Sequence, residues 1–543
     1  MSRTTPTQRL LLFILFFCNL LPLPLGEGWG VRLCAQTDSR EMAVRKLLQS
    51  TIMINQMYVD TVNIDRQVED AITGMLSKLD PHSAYTNAAD TKKMNEPLQG
   101  TFDGIGVQFN MLEDTLVVIQ PVSKGPSEKV GILAGDRIIT VNDTAIAGVK
   151  MSRENIMSRL RGPKGTKVRL GIVRRGIKDV LYFTVKRDKI PVNSLDAAYI
   201  IRPGVGLIRF SNFAATTHTE VTDAIKKLQE QGMQTLILDL QGNGGGYLNA
   251  AAELASEFLP KDEMVVYTRG RGGINMGEFH STGGGLFTEG RVIVLVDEYS
   301  ASAAEILSGA IQDHDRGTIV GRRTFGKGLV QRPIELEDGS MIRLTIARYY
   351  TPSGRCIQKP YEKGDAKSYA RDVIDRYNRG ELTNADSIHF PDSLRYKTLR
   401  LGRTVYGGGG IMPDIFVPLD TTRFTRLHRE LSARSYIINA SLHYIDQNRK
   451  QLHKSYPDFE TFNAKFTFPR KELDKMFAEA EKKDSIRARD DEELEKTVHS
   501  VSLILKGLVA RDLWDMSEYF QVIYEEDPVV LQALELLNAT EPK

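Results

Sequence analysis

Between Val205 and Ile311 the chain three times sets a run of almost unbroken apolar residues before a turn and a helix pattern. VGLIRF leads into THTEVTDAIKKLQEQG, TLILDL into QGNGGG and then YLNAAAELASEFL, and RVIVLVD into EYSASAAEILSGAI. A strand wet on one face alternates apolar with polar residues, whereas a strand apolar throughout has to be covered on both faces. Alternation with helices therefore predicts a buried, largely parallel sheet over residues 195–321.

The flanking segments read differently. Residues 41–95 have helical periodicity in AVRKLLQSTIMINQMY and VEDAITGMLSKL, and Asp80-Pro81-His82-Ser83 ends the second helix, with His82 as a turn residue. From about residue 98 to 189 short strands (GIGVQFNM, TLVVIQPV, RIITVND, KVRLGIVRR, DVLYFTVKR) are separated by Gly-, Pro- and Asp-rich turns, with one helix at SRENIMSRL. Residues 361–406 are polar and read as an insertion. After Thr421 the pattern is mostly helical, and EKKDSIRARDDEELEK is taken as a solvated helix face. A chain of 543 residues is expected to hold several domains.

With 71 basic against 69 acidic residues the net charge is +2, so no global field argues for nucleic acid or an anionic membrane. At the N-terminus, Arg3 and Arg9 precede an apolar, proline-broken run from Leu10 to Leu25. That is the pattern of a signal segment over 1–35, too short for a comfortable transmembrane helix, with cleavage expected after Ala35. An uncleaved N-terminus would instead tether the chain to a membrane. Cleavage leaves Cys356 as the one thiol, so no internal disulfide is expected. As a lone cysteine it reads as a small buried hydrophobe, with a reactive thiol as the alternative.

Three turns in the α/β region carry candidate chemistry. Ser302 lies at a helix start after a buried strand, where free amides and the helix dipole favour developing negative charge. It fits a nucleophile, with the amide of Ala303 donating to an oxyanion. It equally fits the cap of Ser302-Ala303-Ala304-Glu305, an S-x-x-E capping box. Ser300 is the second choice. The turn Asp239–Gly246, rich in glycine, presents backbone amides, and a second oxyanion donor is expected there; a phosphate loop competes, but G-x-x-x-x-G-K-[ST] is absent. In FGKGLVQ, Lys327 becomes a general base for Ser302 if desolvation keeps it neutral, and Gln331 can orient its amine. His218, His280 and His314 sit in no such turn, and no H-E-x-x-H spacing suggests a metal.

Taken together these turns resemble those of the carboxyl-terminal processing peptidases, or tail-specific proteases. That family carries S-A-S-A-[SA]-E, then G-K-G-x-V-Q with its lysine 25 residues after the serine, as Lys327 follows Ser302 here. Its D-L-R-x-N-x-G-G turn is similar to Asp239–Gly246, with Gln241 in place of arginine. AITGMLSKLDPHSAY, GTFDGIGVQF, GPSEKVGILAGDRIITVN, TPSGRCIQ (Cys356 where the family has serine) and GIMPDIFV resemble further family segments in the same order. The likeness spans about residues 40–420.

The resemblance implies an α/β ClpP/crotonase-like catalytic core with an inserted, mostly-β PDZ domain and flanking helical regions. The corresponding boundaries are 1–35 signal peptide, 36–98 helical, 99–188 PDZ, 189–420 peptidase core with the 361–406 insertion, and 421–543 helical. It implies a Ser302–Lys327–Gln331 site, with oxyanion amides from Ala303 and Gly245, acting without metal, nucleotide or other cofactor. Gly104, Ile105, Gly106 and Val107 would form the PDZ loop that takes a peptide carboxylate, the adjoining strand edge accepting an extended peptide. The activity implied is ATP-independent serine endopeptidase action on C-terminal tails of exported proteins. A non-catalytic PDZ-bearing scaffold is the alternative. Partners expected are protein or peptide substrates with free C-terminal tails, with a homo-oligomer as a further candidate and no nucleic acid. The expected location is the periplasm, or its membrane face.

Overall fold

The computed structural model describes residues 30–538. Most of the predicted signal segment, residues 1–29, lies outside them. The described chain divides into two compact units at residues 75/76. In the first, the described chain forms the helix Gly30–Met57 and most of the helix Ile64–Leu76.

The second unit is built on the sheet foreseen from the apolar runs. Its strand order is Leu195–Arg202, Val205–Phe210, Thr235–Asp239, Arg291–Val296, Thr318–Gly321 and Ile415–Phe416. The first pair is antiparallel and every later pair parallel. Because side chains alternate across a strand, Leu236, Leu238, Val292, Val294 and Val296 face the helices Thr217–Glu230, Leu248–Ala255 and Ala303–Asp313. Leu207, Ile237, Ile293 and Leu295 face the other way. They are covered by Phe520, Tyr524, Val529, Val530 and Leu534, from the last helices of the chain. The C-terminal helices Met516–Ile523 and Pro528–Asn538 thus supply the second layer that the sheet requires.

A smaller sheet carries part of the candidate site. Met341–Tyr350 pairs with Leu329–Glu335 along one edge; on the other it pairs with Ala84–Thr86 at one end and Met264–Arg269 at the other. The β-rich insertion forms an antiparallel sheet in the order Val107–Leu112, Thr115–Pro121, Arg137–Val141, Lys167–Val173 and Leu181–Lys186. Its entry strand Thr101–Gly104 pairs with its exit strand Asp188–Pro191, so its two ends leave together. Against it packs the C-terminal helix Tyr436–Ser455. Leu442 sits among Leu112, Val117 and Ile119, and Asp446 pairs with Arg137 at 2.9 Å.

One expectation is corrected here. EKKDSIRARDDEELEK is not one helix face: the helix Arg470–Asp484 ends at Ser485, whose φ is +56°, and Asp490 caps a new helix, Asp491–Leu513. The 361–406 segment packs against the site region. Its helix Ala366–Asn378 buries Arg376 completely, and the guanidinium donates to the Arg323 and Thr324 carbonyls just ahead of Lys327.

Val530 tests the second covering layer. Val530→Ala should lower unfolding stability by about 2 kcal/mol, by lost burial plus cavity. Leu531→Ala, on the exposed side of the same helix, should change it by less than about 0.5 kcal/mol. Urea denaturation of both variants decides; equal effects would remove this helix from the core.

Candidate active site

Three turns at the carboxyl ends of neighbouring strands meet, as expected where parallel strands end. Hydrogen bonds join them directly. Ala301 N–H donates to Asn243 O (2.9 Å), Gly242 N–H to Asp297 Oδ1 (3.0 Å) and Phe325 N–H to Ser300 O (3.0 Å).

The two serines are distinguished by what holds them. Ser300 is fully buried; its hydroxyl donates to Leu240 O at 2.8 Å and accepts from Asp297 N–H at 2.9 Å, so it fastens the turn. Ser302 is half-buried and sits at φ +57°, ψ −113°. For a residue with a Cβ such a backbone costs roughly 1–3 kcal/mol and persists only where its surroundings impose it. A sharp strand-to-helix turn of this kind presents a serine outward.

Glu305 imposes it. Its side chain, wholly buried, accepts four hydrogen bonds: from Ser302 N–H (2.8 Å), Thr324 Oγ1–H (2.5 Å), Gly326 N–H (2.7 Å) and Lys327 N–H (2.9 Å). One carboxylate therefore ties the serine turn to the lysine turn. Desolvation pushes its pKa up to about 7, opposed by these donors. The Tyr349 hydroxyl makes a second tie, 3.1 Å from Ser302 O and 2.5 Å from Lys327 O. Gln358, from the T-P-S-G-R-C-I-Q segment, accepts from Gly328 N–H at 2.8 Å. Glu305 was legible only as a helix cap; nothing in the local pattern signals that its acceptor capacity reaches 22 residues downstream.

Lys327 lies between these ties. Burial depresses its ammonium below the usual 10.5, Arg343 adds to the effect and Glu305 opposes it. Among the described residues no carboxylate pairs with its amine. Nearby, burial and the charge on Lys327 push His82 down to about 4, and its ring lies 3.1 Å from the Tyr369 hydroxyl. Asp80 anchors the preceding turn, accepting from His82 N–H and Ser83 N–H and from Thr345 Oγ1–H.

Gly245 stands against the serine. A Cβ there would fall 2.8 Å from Ser302 Cβ and 2.9 Å from Ala303 N, and its φ is +95°, so only glycine fits. The Ala303 amide, first in its helix, has no acceptor among the described residues. The Gly245 amide does: it donates to Asn243 Oδ1 at 2.9 Å. The two predicted donors are thus adjacent, but one is occupied by a side chain.

Gln331 departs from expectation. Its amide donates to Leu329 O (2.9 Å) and Thr345 Oγ1 (3.4 Å), and the hydrogen bond to Lys327 is not made. A register shift at Val330/Gln331 accounts for this, since a bulge re-aims the side chains beside it. Gln241, where the family has arginine, offers its carbonyl to Arg209 (2.9 Å), which also pairs with Asp239 at 2.7 Å. Cys356 is a free thiol, half-buried, its pKa raised by burial.

In the β-rich domain, Ile105, Gly106 and Val107 line a groove of about 280 Å³ between the strand Val107–Leu112 and the helix Arg153–Leu160. That strand is at the sheet edge. Gly104 ends the preceding strand and lies outside the groove lining.

Family models match this chain in four places: peptidase family S41 at residues 204–367, a PDZ domain at 104–189, the activating protease CtpB N-terminal domain at 32–91, and a family of unknown function at 427–515. The carboxy-terminal processing protease CtpB of Bacillus subtilis is 34% identical over 371 residues, 67% of this chain and 75% of that protein. The carboxy-terminal-processing protease of Bartonella bacilliformis is 38% identical over 309 residues, 56% of this chain and 70% of that protein. Among solved structures, the photosystem II D1 C-terminal processing protease is 28% identical with a TM-score of 0.33, covering 57% of this chain and 89% of that one.

Replacing Glu305 tests the central tie. Glu305→Ala leaves four donors without their acceptor and should cost about 3 kcal/mol or more. Chemical denaturation measures this; a loss under about 1 kcal/mol would show that the turns hold without it.

Proposed function

This chain belongs to the carboxy-terminal processing proteases of peptidase family S41, and on that premise we propose that Ser302 and Lys327 are its catalytic dyad. The observation that carries the reading is the shared Glu305 carboxylate, which holds a strained serine and a desolvated lysine in one assembly. Ser302 Oγ attacks the scissile carbonyl of a polypeptide while Lys327 Nζ takes its proton, later returning it to the leaving amine. The lysine can accept that proton only when neutral, which its burial favours. The Ala303 amide stabilises the oxyanion, joined by the Gly245 amide when the oxyanion displaces Asn243 Oδ1. Gln331 orients the Lys327 amine once its amide leaves Leu329 O. The reaction consumes no ATP.

The PDZ groove takes the substrate's C-terminal tail, adding it as a strand at the edge Val107–Leu112. The engaged Gly245 amide and the turned-away Gln331 support a resting arrangement, which tail binding shifts toward the active one. The apolar, Arg-flanked segment within residues 1–35 supports export to the periplasm, where the substrates would be found. N-terminal sequencing of the exported protein should then begin at Gln36; an intact N-terminus would leave it as a membrane tether.

Mass spectrometry of an unstructured protein with an apolar C-terminus, incubated without ATP, should show cleavage by the wild type. Ser302→Ala and Lys327→Ala should each reduce it by roughly 10³-fold or more; equal cutting by the variants sinks the dyad. The rate should rise with pH as Lys327 deprotonates, with a midpoint below the ordinary lysine value. Arg343→Gln removes a cation that depresses that amine, so the profile should move to higher pH; an unmoved profile means another group is the base. Deleting residues 99–188 should alter the rate on a short peptide, and an unchanged rate argues against gating by the PDZ domain.

A further inference from the structure

A cleft of about 880 Å³ lies beside the candidate site and ends at Leu329, two residues beyond Lys327. Its wall is the strand Met341–Tyr350. On its cleft side that strand pairs with Ala84 as far as Arg343 and with Arg269 from Arg348 onward. Among the described residues, 344–347 between them carry no neighbouring strand on that side.

The charge in this cleft is one-sided. Arg269, Arg271, Arg348 and Lys363 line it, all exposed, and among the described residues none has a carboxylate within ion-pair distance. The one acid of the lining, Asp80, has its carboxylate engaged by the His82–Ser83 turn and Thr345. Arg269 and Arg348 are direct register partners on adjacent antiparallel strands. Like charges placed opposite each other are destabilising. Among the described residues no anion relieves this pair; Arg269 instead stacks over Tyr267, its guanidinium carbon 5.3 Å from the ring centroid, and Tyr267 stacks on Tyr350 at 5.1 Å. Two guanidiniums held side by side, with two more cations around them, form a receptor for carboxylates.

We propose that this cleft takes an acidic segment of the substrate polypeptide, whose Asp and Glu side chains pair with Arg269, Arg348, Arg271 and Lys363. It thereby sets a preference for chains that are acidic next to the cleavage site. The proposal rests on the reading that Ser302 and Lys327 cut polypeptides, and names which ones.

Two unstructured substrates of equal length and identical C-terminus, one bearing an Asp/Glu cluster and the other Asn/Gln in its place, test it with the full chain. The acidic substrate should show kcat/KM higher by about tenfold at low ionic strength, the scale of a few exposed ion pairs. That ratio should fall toward one at roughly 0.5 M salt, where exposed charges are screened, and in the Arg269→Gln/Arg348→Gln double variant. Fluorescence anisotropy of both peptides on Ser302→Ala protein should show the same ratio in Kd, so the cleft is decided even if no substrate is cut. Failure of cleavage alone counts against the dyad; a binding ratio of one, or a ratio that survives the double substitution, overturns the cleft proposal. Amidating the C-terminus should leave the ratio intact. A preference lost on amidation would assign the cations to a terminal carboxylate and overturn the acidic segment.

Discussion

A sheet that is apolar on both faces cannot exist as a half-structure, and the second unit is organised around that constraint. Ile237 and Ile293 point away from the helices that follow their strands and are as completely buried as Leu236 and Val294, which point toward them. At ~25 cal/mol per Å² of apolar surface, leaving either face wet would cost more than the whole margin by which a domain is stable. The chain meets the requirement on one face with the crossover helices of the parallel sheet itself. On the other it uses residues 516–538, hundreds of positions from the strands they cover. The C-terminal region is therefore structurally part of the peptidase core. Tyr524 makes this concrete: its hydroxyl hydrogen-bonds Asp239, at the root of the glycine-rich turn.

Once the sheet is covered, its strand ends bring the three turns together, and one buried carboxylate finishes the assembly. Glu305 is costly to bury and is kept because four donors converge on it. Those donors come from both sides of the proposed dyad, so the local strain at Ser302 and the placement of Lys327 share a single support. This differs from an arrangement in which a histidine between serine and aspartate organises the site. Here the organiser touches only backbone amides and one threonine, and the proposed base is left without an ion pair, which keeps its pKa low. The 361–406 segment contributes by burying Arg376 against the carbonyls that lead into Lys327.

Much of this was readable from the chain. The strand–helix alternation, the β-rich insertion and the serine–lysine spacing each rest on local patterns or on short motifs, and short-range signals survive in sequence. Gln331, Gly245 and Gly104 show where such signals stop. Spacing put Gln331 within reach of Lys327, but a one-residue register shift turned its amide to Leu329 O. Composition put amides in the Asp239–Gly246 turn, but the Asn243 side chain claims that of Gly245. The G-x-G-Φ pattern included Gly104, which pairing with Asp188 draws into a strand. The charged run after Glu481 looked like one solvated helix face; a left-handed Ser485 and the capping Asp490 break it in two.

By itself the sequence determined the strand–helix alternation of residues 195–321 and the short strands of the β-rich insertion, that the central strands need cover on both faces, and that a serine, a lysine and glycine-rich turns sit at the ends of those strands. These follow from periodicity and residue type, which act over a few neighbouring positions. Only the tertiary structure decided that the last helices supply the missing cover, that Glu305 reaches from a helix cap to the lysine turn, and that Arg269 and Arg348 face each other across two strands. Each of these depends on pairing between distant segments, where register and the competition of several donors for one acceptor settle an outcome that no local pattern encodes.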